Sequence, residues 1–282
     1  MLTATIIKAT RMLAKRLLFA VLGEGGTRQA HAHGFYHALL RRTGRFGLNE
    51  PAATQELLAA LAGQAGTLLD AGVNIGRYSW FMARHRRAGV PLYGFDPNAD
   101  ASALARRNLA GLPDITLLPI GLAARDKEAT LAVPQDATGN PISGLGFILG
   151  GTPPPTGSVT HAITLKSLDG LISDGTVRLA PPVLLKMDIE GYEPAALAGM
   201  AAFLARHRPW IFFECEPQHL KRAGYDWPDL FTPLHALGYL ILADAGGRFI
   251  CVREPIDGTV NYFALMPETM PPLPSLAPFL TR

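Results

Sequence analysis

The chain has 282 residues, a length that suits one large α/β domain with appendages. Hydrophobic residues make up 48% of it and charged residues 17%, which excludes an intrinsically disordered chain. The formal net charge of +3 is uneven, because residues 1–45 carry eight Lys or Arg against the single acid Glu24 and leave the remainder net negative. No basic motif interleaved with aromatic residues follows, so we expect no nucleic-acid partner.

Residues 1–50 are predicted to be a basic helical extension, with a helix over residues 2–22 that has an apolar side and a basic side. Charged side chains interrupt its apolar run, so the sequence does not predict a membrane-spanning helix. Such a helix could pack on its own domain, form a homo-oligomer, or make peripheral contact with a membrane surface. His33 and His37 have the i, i+4 spacing that could place two metal ligands on one helix face, but no carboxylate follows His33.

Residues 51–270 alternate short apolar runs with helical stretches, a pattern that predicts parallel strands joined by crossover helices. The predicted fold class is α/β, with a doubly wound, mostly parallel, Rossmann-like sheet and an antiparallel edge. Strands are predicted at residues 67–71, 92–96, 115–120, 183–188, 210–214 and 239–242. Helices are predicted at residues 54–62, 76–87, 101–111, 194–206 and 227–237. An antiparallel pair, residues 249–253 and 261–266, is expected to close the sheet edge.

Two further segments complete the predicted domain organisation. Residues 134–165 are predicted to be a variable insertion, whose first part is rich in Gly, Pro, Ser and Thr and whose last part, residues 161–165, is expected to form a hairpin. Residues 271–282 are predicted to be a C-terminal tail.

The two cysteines, Cys215 and Cys251, both lie in apolar, β-branched and aromatic surroundings without metal-binding spacing. This pattern indicates buried, reduced thiols. Reduced thiols are typical of a cytoplasmic protein, and we expect that location.

The first predicted strand runs directly into a glycine turn. Gly72 and Gly76 allow the backbone to approach a ligand closely, and the following helix offers free N–H groups, so a nucleotide-like ligand is expected here. A pyrophosphate-binding loop favours glycine at the position of Asn74 and does not usually have an acid at Asp70. A ligand with an ammonium group suits Asp70 better, although Asp70 could instead cap the turn.

The second strand ends at Asp96, twenty residues after Gly76, with Asn98 close behind. An acid at this distance bonds ribose hydroxyls in doubly wound nucleotide-binding proteins. The two neighbouring strand ends therefore predict one nucleotide site.

Acidic residues follow two later strands. Lys186, Asp188 and Glu190 come from the strand at residues 183–188 and its carboxyl end, and Glu214 and Glu216 follow the next strand. Because carboxyl ends of parallel strands meet at one edge, these acids are expected to converge there. Such a cluster could act as a general base or coordinate a divalent cation, and the sequence does not separate these two uses. Glu193 could simply cap the helix that follows.

In this order the motifs resemble the FkbM family of methyltransferases. They are residues 70–79 (DAGVNIGRYS), 95–97 (FDP), 167–169 (SLD), 186–193 (KMDIEGYE) and 213–214 (FE). The resemblance covers about residues 66–245. It implies a class I methyltransferase fold, S-adenosylmethionine as donor, and O-methylation of a small-molecule or glycan acceptor such as a saccharide, glycolipid or natural product.

The strand ends and the motifs together predict two sets of functional residues. Those expected to bind the donor are Asp70, Gly72, Asn74, Gly76, Asp96 and Asn98. Those expected in catalysis are Lys186, Asp188, Glu190 and Glu214, with a divalent metal left open. The sequence departs from the family pattern at Val73, at Asp96 and at Ala124, where an aspartate that could contact the adenine is often found. The alternative to an O-methyltransferase is a non-catalytic or NAD-binding Rossmann-like protein.

Overall fold

The computed structural model describes residues 46–135, 146–149 and 153–279. The chain divides into two compact units, residues 1–47 and 48–282, and the description below concerns the second. The predicted N-terminal helix, the pair His33 and His37, and much of the predicted insertion lie outside the described residues. No helix in the described ranges is long and apolar enough to cross a membrane.

The described residues form twelve strands: β1 (Thr67–Ala71), β2 (Leu92–Phe95), β3 (Ile115–Leu118), β4 (Gly121–Leu122), β5 (Lys127–Pro134), β6 (Phe147–Ile148), β7 (Ser158–Lys166), β8 (Val183–Met187), β9 (Trp210–Glu214), β10 (Leu240–Asp244), β11 (Phe249–Val252) and β12 (Asn261–Leu265). Eight α-helices are described: α1 (Ala52–Gln64), α2 (Arg77–His85), α3 (Ala99–Leu109), α4 (Leu168–Ser173), α5 (Glu193–Ala198), α6 (Ala201–His207), α7 (Pro217–Ala223) and α8 (Pro228–Ala236). Two 3-10 helices follow, Pro267–Thr269 and Pro274–Phe279.

The larger sheet has eight strands in the order β11-β10-β12-β9-β8-β1-β2-β3. Its five strands from β9 to β3 pair in parallel. Helices connect these strands, as parallel pairing requires. The predicted doubly wound, mostly parallel α/β sheet is therefore confirmed.

Both faces of this sheet are buried, which explains why its central strands are mostly apolar. Leu68 and Leu184 pack into a core with Leu58 of α1 and Met82 of α2. Their neighbours along the strands face the other way, where Leu185 packs into a second core with helices α4 to α8. The helices thus cover both faces and leave the strand ends as the accessible edge.

The antiparallel edge differs from the prediction. Strands β11 and β12 do not pair with each other; each pairs antiparallel with β10, on opposite sides of it. Strand β12 also pairs antiparallel with β9, so it lies inside the sheet. The sequence alternation correctly located both strands but did not determine their partners, because partner choice depends on packing between distant segments.

A second sheet has four strands in the order β4-β7-β5-β6. The predicted insertion contributes β6 and most of β7, whereas β4 and nearly all of β5 precede it. The hairpin expected at residues 161–165 is instead the end of the nine-residue strand β7, which pairs antiparallel with β5 over eight residue pairs. Strand β5 was not predicted. Strand β6 pairs with the end of β5 and brings Phe147 beside it.

Two smaller predictions were also wrong. The helix predicted at residues 194–206 is divided into α5 and α6 at Gly199, where a Cβ atom would collide with the carbonyl oxygen of Ala123. Cys215 is buried as predicted, but Cys251 is exposed because it lies on the edge strand β11.

Candidate active site

A polar pocket lies at the carboxyl edge of the larger sheet, where the strand order reverses between β1 and β8. In doubly wound sheets this reversal is the usual ligand site. The pocket residues contributed by strand β4 and by the turns after β1 and β2 are Gly72, Asn74, Asp96, Pro97, Asn98, Gly121 and Leu122. The smaller sheet and the segments ending β8 and β9 contribute Leu131, Gly146, Phe147, Ile148, Asp188, Ile189, Glu190, Tyr192 and Glu214.

Asp96 joins the first two turns of this pocket. Its Oδ2 accepts a hydrogen bond from the main-chain N–H of Asn74 at 2.6 Å, and its Oδ1 accepts one from Asn98 at 2.8 Å. Burial raises the pKa of Asp96 to about 6, against the opposing effect of these two N–H donors. Each carboxylate oxygen keeps a second acceptor position, so Asp96 can accept two further hydrogen bonds from a ligand.

The two asparagines have different roles. Asn98 was predicted to bind the donor, but its side-chain Oδ1 accepts from the N–H groups of Asp100 and Ala101 and caps helix α3. Asn74 has a left-handed backbone with φ 49°, and its Oδ1 is buried with no hydrogen-bond partner among the described residues. Asn74 therefore offers a pocket-lining acceptor, whereas the side-chain oxygen of Asn98 is already used by the cap.

Gly72 is required by packing as well as by conformation. Its φ is +82°, and a Cβ atom there would collide with the main-chain carbonyl of Asp188. The turn after β1 is therefore pressed against the end of β8. Gly76, with φ +87°, begins helix α2 and packs near Leu109, and it does not line the pocket. Its predicted contact with the donor is thus replaced by a role in the turn.

Asp70 and Lys186 were predicted to contact ligands, but both side chains lie beneath the turn. Lys186 Nζ is 3.2 Å from Asp70 Oδ1 and donates to the main-chain oxygens of Ala71 and Gly72 at 3.2 Å and 2.7 Å. Asp70 Oδ2 accepts from the Ser79 hydroxyl at 2.5 Å. With exposures of 1% and 0%, the two side chains are buried, do not line the pocket, and hold the turn.

The charge of Lys186 is maintained by its surroundings. Burial alone favours the neutral amine, but the negative charges of Asp70 and Asp188 outweigh it and raise the pKa of Lys186. Asp188 Oδ2 is 3.7 Å from Lys186 Nζ, and its side chain is 32% exposed. Lys186 therefore links the buried turn to a carboxylate that lines the pocket.

The loop after β8 is held from two sides. Buried Glu193 accepts a hydrogen bond from the N–H of Ile189 at 2.7 Å, and burial raises the pKa of Glu193 to about 8. A Cβ atom at Gly191 would collide with the carbonyl oxygen of His219, so the loop is pressed against α7. Glu190 between them has φ 60°, an uncommon conformation for a non-glycine residue.

Glu190 and Glu214 meet at His219, a residue that the sequence analysis did not identify. The Nδ1 atom of His219 is 3.2 Å from Oε2 of each glutamate. Arg222, one turn further along α7, is 3.3 Å from the same oxygen of Glu190. The structure therefore brings two of the predicted acids together with two cationic side chains.

These contacts set the protonation of the cluster. Burial raises the pKa of Glu190 to about 7, with the charge of His219 opposing the change. Burial also raises the pKa of Glu214, and the hydrogen bond with Glu214 raises the pKa of His219. A carboxyl group that titrates near neutral pH suits proton transfer.

Glu216 and Ala124 lie away from this cluster. The side chain of Glu216 accepts from the N–H of Gln218 at 3.3 Å and caps α7, so it does not converge with the other acids. Ala124 is exposed and does not line the pocket, whereas Gly121 and Leu122 do.

A metal site was left open by the sequence. No group of three or more His, Cys, Asp or Glu among residues 46–135, 146–149 and 153–279 is arranged to hold a metal ion. The acids of the pocket instead have Lys186, His219 and Arg222 as charged neighbours.

An open, mostly parallel sheet with a polar pocket at its point of reversal defines a doubly wound ligand-binding domain. The family model described as the methyltransferase FkbM domain matches residues 70–241, more than half of the chain. The chain therefore belongs to the FkbM methyltransferase family, and the resemblance stated from its motifs is confirmed. No curated protein sequence matches the chain.

Several solved structures are distantly similar. The FkbM methyltransferase from Methylobacillus flagellatus KT is 16% identical with a TM-score of 0.46, and the match covers 90% of this chain but only 59% of that one. A putative O-methyltransferase from Klebsiella pneumoniae is 16% identical with a TM-score of 0.43, covering 90% and 96% of the two chains. Cofactor-bound Rv0187 from MTB is 14% identical with a TM-score of 0.44, covering 90% and 95%.

Proposed function

We propose that this methyltransferase transfers a methyl group from S-adenosylmethionine to a hydroxyl of a saccharide, glycolipid or natural product. The observation that carries the proposal is that Glu190 and Glu214, joined by His219, line the same pocket as Asp96. A proton acceptor and a nucleoside-binding carboxylate thus occupy one site. O-methylation needs both, because the carboxylate helps to bind the donor and the acceptor hydroxyl must lose its proton as it takes the methyl group.

The donor half of the pocket fits a nucleoside. Asp96 has free acceptor positions on both carboxylate oxygens, which suit the two ribose hydroxyls. Asn74 offers a buried oxygen that lacks a protein partner among the described residues. The turn approaches closely because position 72 is glycine.

The chemistry divides between the donor and the chain. S-adenosylmethionine supplies a methyl group on a positively charged sulfur, which leaves with its electron pair as the methyl group is transferred. The residues of the chain hold the acceptor hydroxyl and accept its proton.

The contacts of the acids favour a base over a divalent cation as their role. His219 already contacts Oε2 of both Glu190 and Glu214, and Arg222 contacts that oxygen of Glu190. The N–H groups of these two side chains compete with a metal ion for the same lone pairs, and the positive charge of Arg222 repels it.

The acceptor half combines these acids with an apolar surface. Leu131, Phe147 and Tyr192 line it, and they suit the carbon face of a sugar ring or of an apolar natural product. We also propose a cytoplasmic location, with residues 1–22 making peripheral membrane contact or homo-oligomers.

Calorimetric titration with S-adenosylmethionine, S-adenosylhomocysteine and NAD tests the donor class. We expect the first two to bind and NAD not to bind; the reverse result would favour the NAD-binding alternative. Radiolabelled methyl transfer to methyl, octyl and phenyl glycosides of common hexoses and deoxyhexoses then tests the reaction. Donor binding without any turnover would favour a non-catalytic protein.

Variants of the acids give a sharper test of the same proposal. Asp188→Asn, Glu190→Gln and Glu214→Gln should impair methyl transfer much more than donor binding, because these side chains line the acceptor half. Full turnover in all three variants would contradict the assignment. A chelator, followed by Mg²⁺ or Mn²⁺, tests the metal question separately.

A further inference from the structure

One face of helix α7 places two cationic side chains against Glu190. His219 and Arg222 are three residues apart, a spacing that puts them on the same helix face. The Nδ1 atom of His219 and the Nη2 atom of Arg222 lie 3.2 Å and 3.3 Å from the same oxygen, Oε2 of Glu190. Among the described residues, Oε1 of Glu190 has no hydrogen bond or ion pair. Within the part of the chain that the structure describes, Glu190 is therefore bound through one oxygen and free at the other.

The backbone of Glu190 is fixed as well. Arg222 Nη2 also donates to the main-chain oxygen of Glu190 at 3.3 Å. The left-handed backbone of Glu190 is unfavourable for a residue with a side chain, so these contacts must hold it in place. The close packing of Gly191 against the carbonyl of His219 adds a further restraint.

Glu214 has a different relation to the same histidine. It forms a hydrogen bond with His219 Nδ1 at 3.2 Å, whereas Glu190 makes only an ion-pair contact with that atom. Glu214 thus orients the imidazole. The charged groups that face Glu190 are His219 and Arg222 from α7, Glu214 from β9 and Asp188 from its own loop.

Arg222 also reaches the acceptor wall. Its guanidinium carbon lies 4.2 Å from the centroid of the Phe147 ring, a cation–π distance. Phe147 and Glu190 both line the pocket. One side chain therefore fixes an apolar contact surface and a carboxylate relative to each other.

We infer, on the basis of the proposed O-methylation, that Glu190 is the catalytic base and that His219 and Arg222 are positioning residues that hold it. As the acceptor oxygen forms its bond to the methyl carbon, its O–H bond breaks and the proton passes to Oε1 of Glu190. The other oxygen, Oε2, stays bound to His219 and Arg222. Glu214 orients His219 and does not itself receive the proton.

The positioning can be tested without an acceptor. The full chain, labelled with ¹³C at glutamate carboxyls, is titrated by NMR, and the Glu190 signal is identified by its loss in Glu190→Gln. The parent midpoint should lie near pH 7, the value to which burial raises the pKa of Glu190. Arg222→Met should move this midpoint upwards by about one pH unit, since a neighbouring cation favours the carboxylate.

Two matched variants separate positioning from folding. Arg222→Lys keeps the charge and should keep the midpoint near that of the parent. Lys221→Met removes the same charge from the neighbouring exposed position on α7 and should leave it unchanged. Equal midpoints in Arg222→Met and the parent, with thermal melts showing both folded, would overturn the positioning role.

The assignment of the base is tested with the glycoside panel. Glu190→Gln should lower turnover at least a hundred-fold and Glu214→Gln clearly less, while Arg222→Met should shift the pH profile upwards with its NMR midpoint. A larger loss in Glu214→Gln than in Glu190→Gln would overturn the assignment. Failure of the parent to bind S-adenosylmethionine or to methylate any probe would instead contradict the proposed function, and the NMR midpoints would still decide the positioning.

Discussion

Replacing Asp96 by alanine should weaken S-adenosylmethionine binding severely while the protein stays folded. Asp96 lines the pocket, and its carboxylate is joined to the two turns through the N–H groups of Asn74 and Asn98. The two acceptor positions left on its oxygens suit the ribose hydroxyls. Each lost charge-assisted hydrogen bond costs about 1.5–3 kcal/mol, so the loss of one lowers affinity about ten-fold and the loss of both about 100-fold or more.

The effect of Asp96→Ala on folding stability is limited because two contributions to the free energy of unfolding oppose each other. Alanine leaves two buried N–H groups without partners, at about 1–3 kcal/mol each. It also removes a carboxylate whose pKa burial raises from 3.8 to about 6. A shift of that size corresponds to about 3 kcal/mol against the charged form at pH 7. The net change is therefore a few kcal/mol at most, and Asp96→Glu should bind the donor better than Asp96→Ala.

Donor binding should depend on pH through the charge of Asp96. Donor hydroxyls require the carboxylate, so affinity should fall as the pH drops through the Asp96 pKa of about 6. Because most of the Asp96 carboxyl is protonated at pH 5 and most is charged at pH 7, binding should be about ten-fold weaker at pH 5 than at pH 7. Asp96→Asn should remove this pH dependence. Calorimetry at both pH values, with thermal melts as folding controls, measures this. Unchanged affinity in a folded Asp96→Ala protein would show that the donor does not bind in this pocket.

Three further predictions concern stability and the N-terminal segment. Lys186→Met should lower the free energy of unfolding by about 3–5 kcal/mol, because Asp70 is left buried without its partner, and should lower Tm by roughly 6–20 °C. Adding Asp70→Asn should restore part of the lost stability. An unchanged Tm in Lys186→Met would refute the ion pair. Gly72→Ala should abolish donor binding and lower Tm. Gly89→Ala controls for backbone strain alone, because Gly89 has φ +78° but nothing lies within 4 Å of its Cβ position. Equal losses of Tm in the two variants would contradict the predicted collision at Gly72. Deleting residues 1–22 should leave donor binding intact but change vesicle flotation or size-exclusion behaviour, and loss of donor binding would show that the segment belongs to the active domain.

The sequence predicted the edge at which the site lies because that edge follows from strand direction alone. In a parallel sheet every carboxyl end lies at one side, so Asp96, Asp188 and Glu214 had to lie at the same edge once their strands were recognised. The cap made by Asn98 also had a signal in the sequence, since Asn directly before a helix is a common N-cap.

What could not be predicted depends on register and on helix phase. Asp70 and Lys186 are direct neighbours in the pairing of β1 with β8, and this fact decides that they form a buried pair. No local pattern gives the register of strands more than 100 residues apart. His219 reaches Glu190 and Glu214 only because α7 begins at Pro217 and turns that face to the pocket. Its place five residues after an acid-ending strand was the available signal.

Strand β12 gives the sheet a fixed order of assembly during synthesis. It lies between β9 and β10, which the ribosome makes earlier. Until Asn261–Leu265 has emerged, these two strands lack the neighbour that joins them, and each presents an unpaired edge that can attract other chains. At typical translation rates, the segment from the end of β10 to β12 takes about 1–4 s to make. The nascent chain therefore passes through an interval in which both edges need protection, and the sheet closes only after β12 is released.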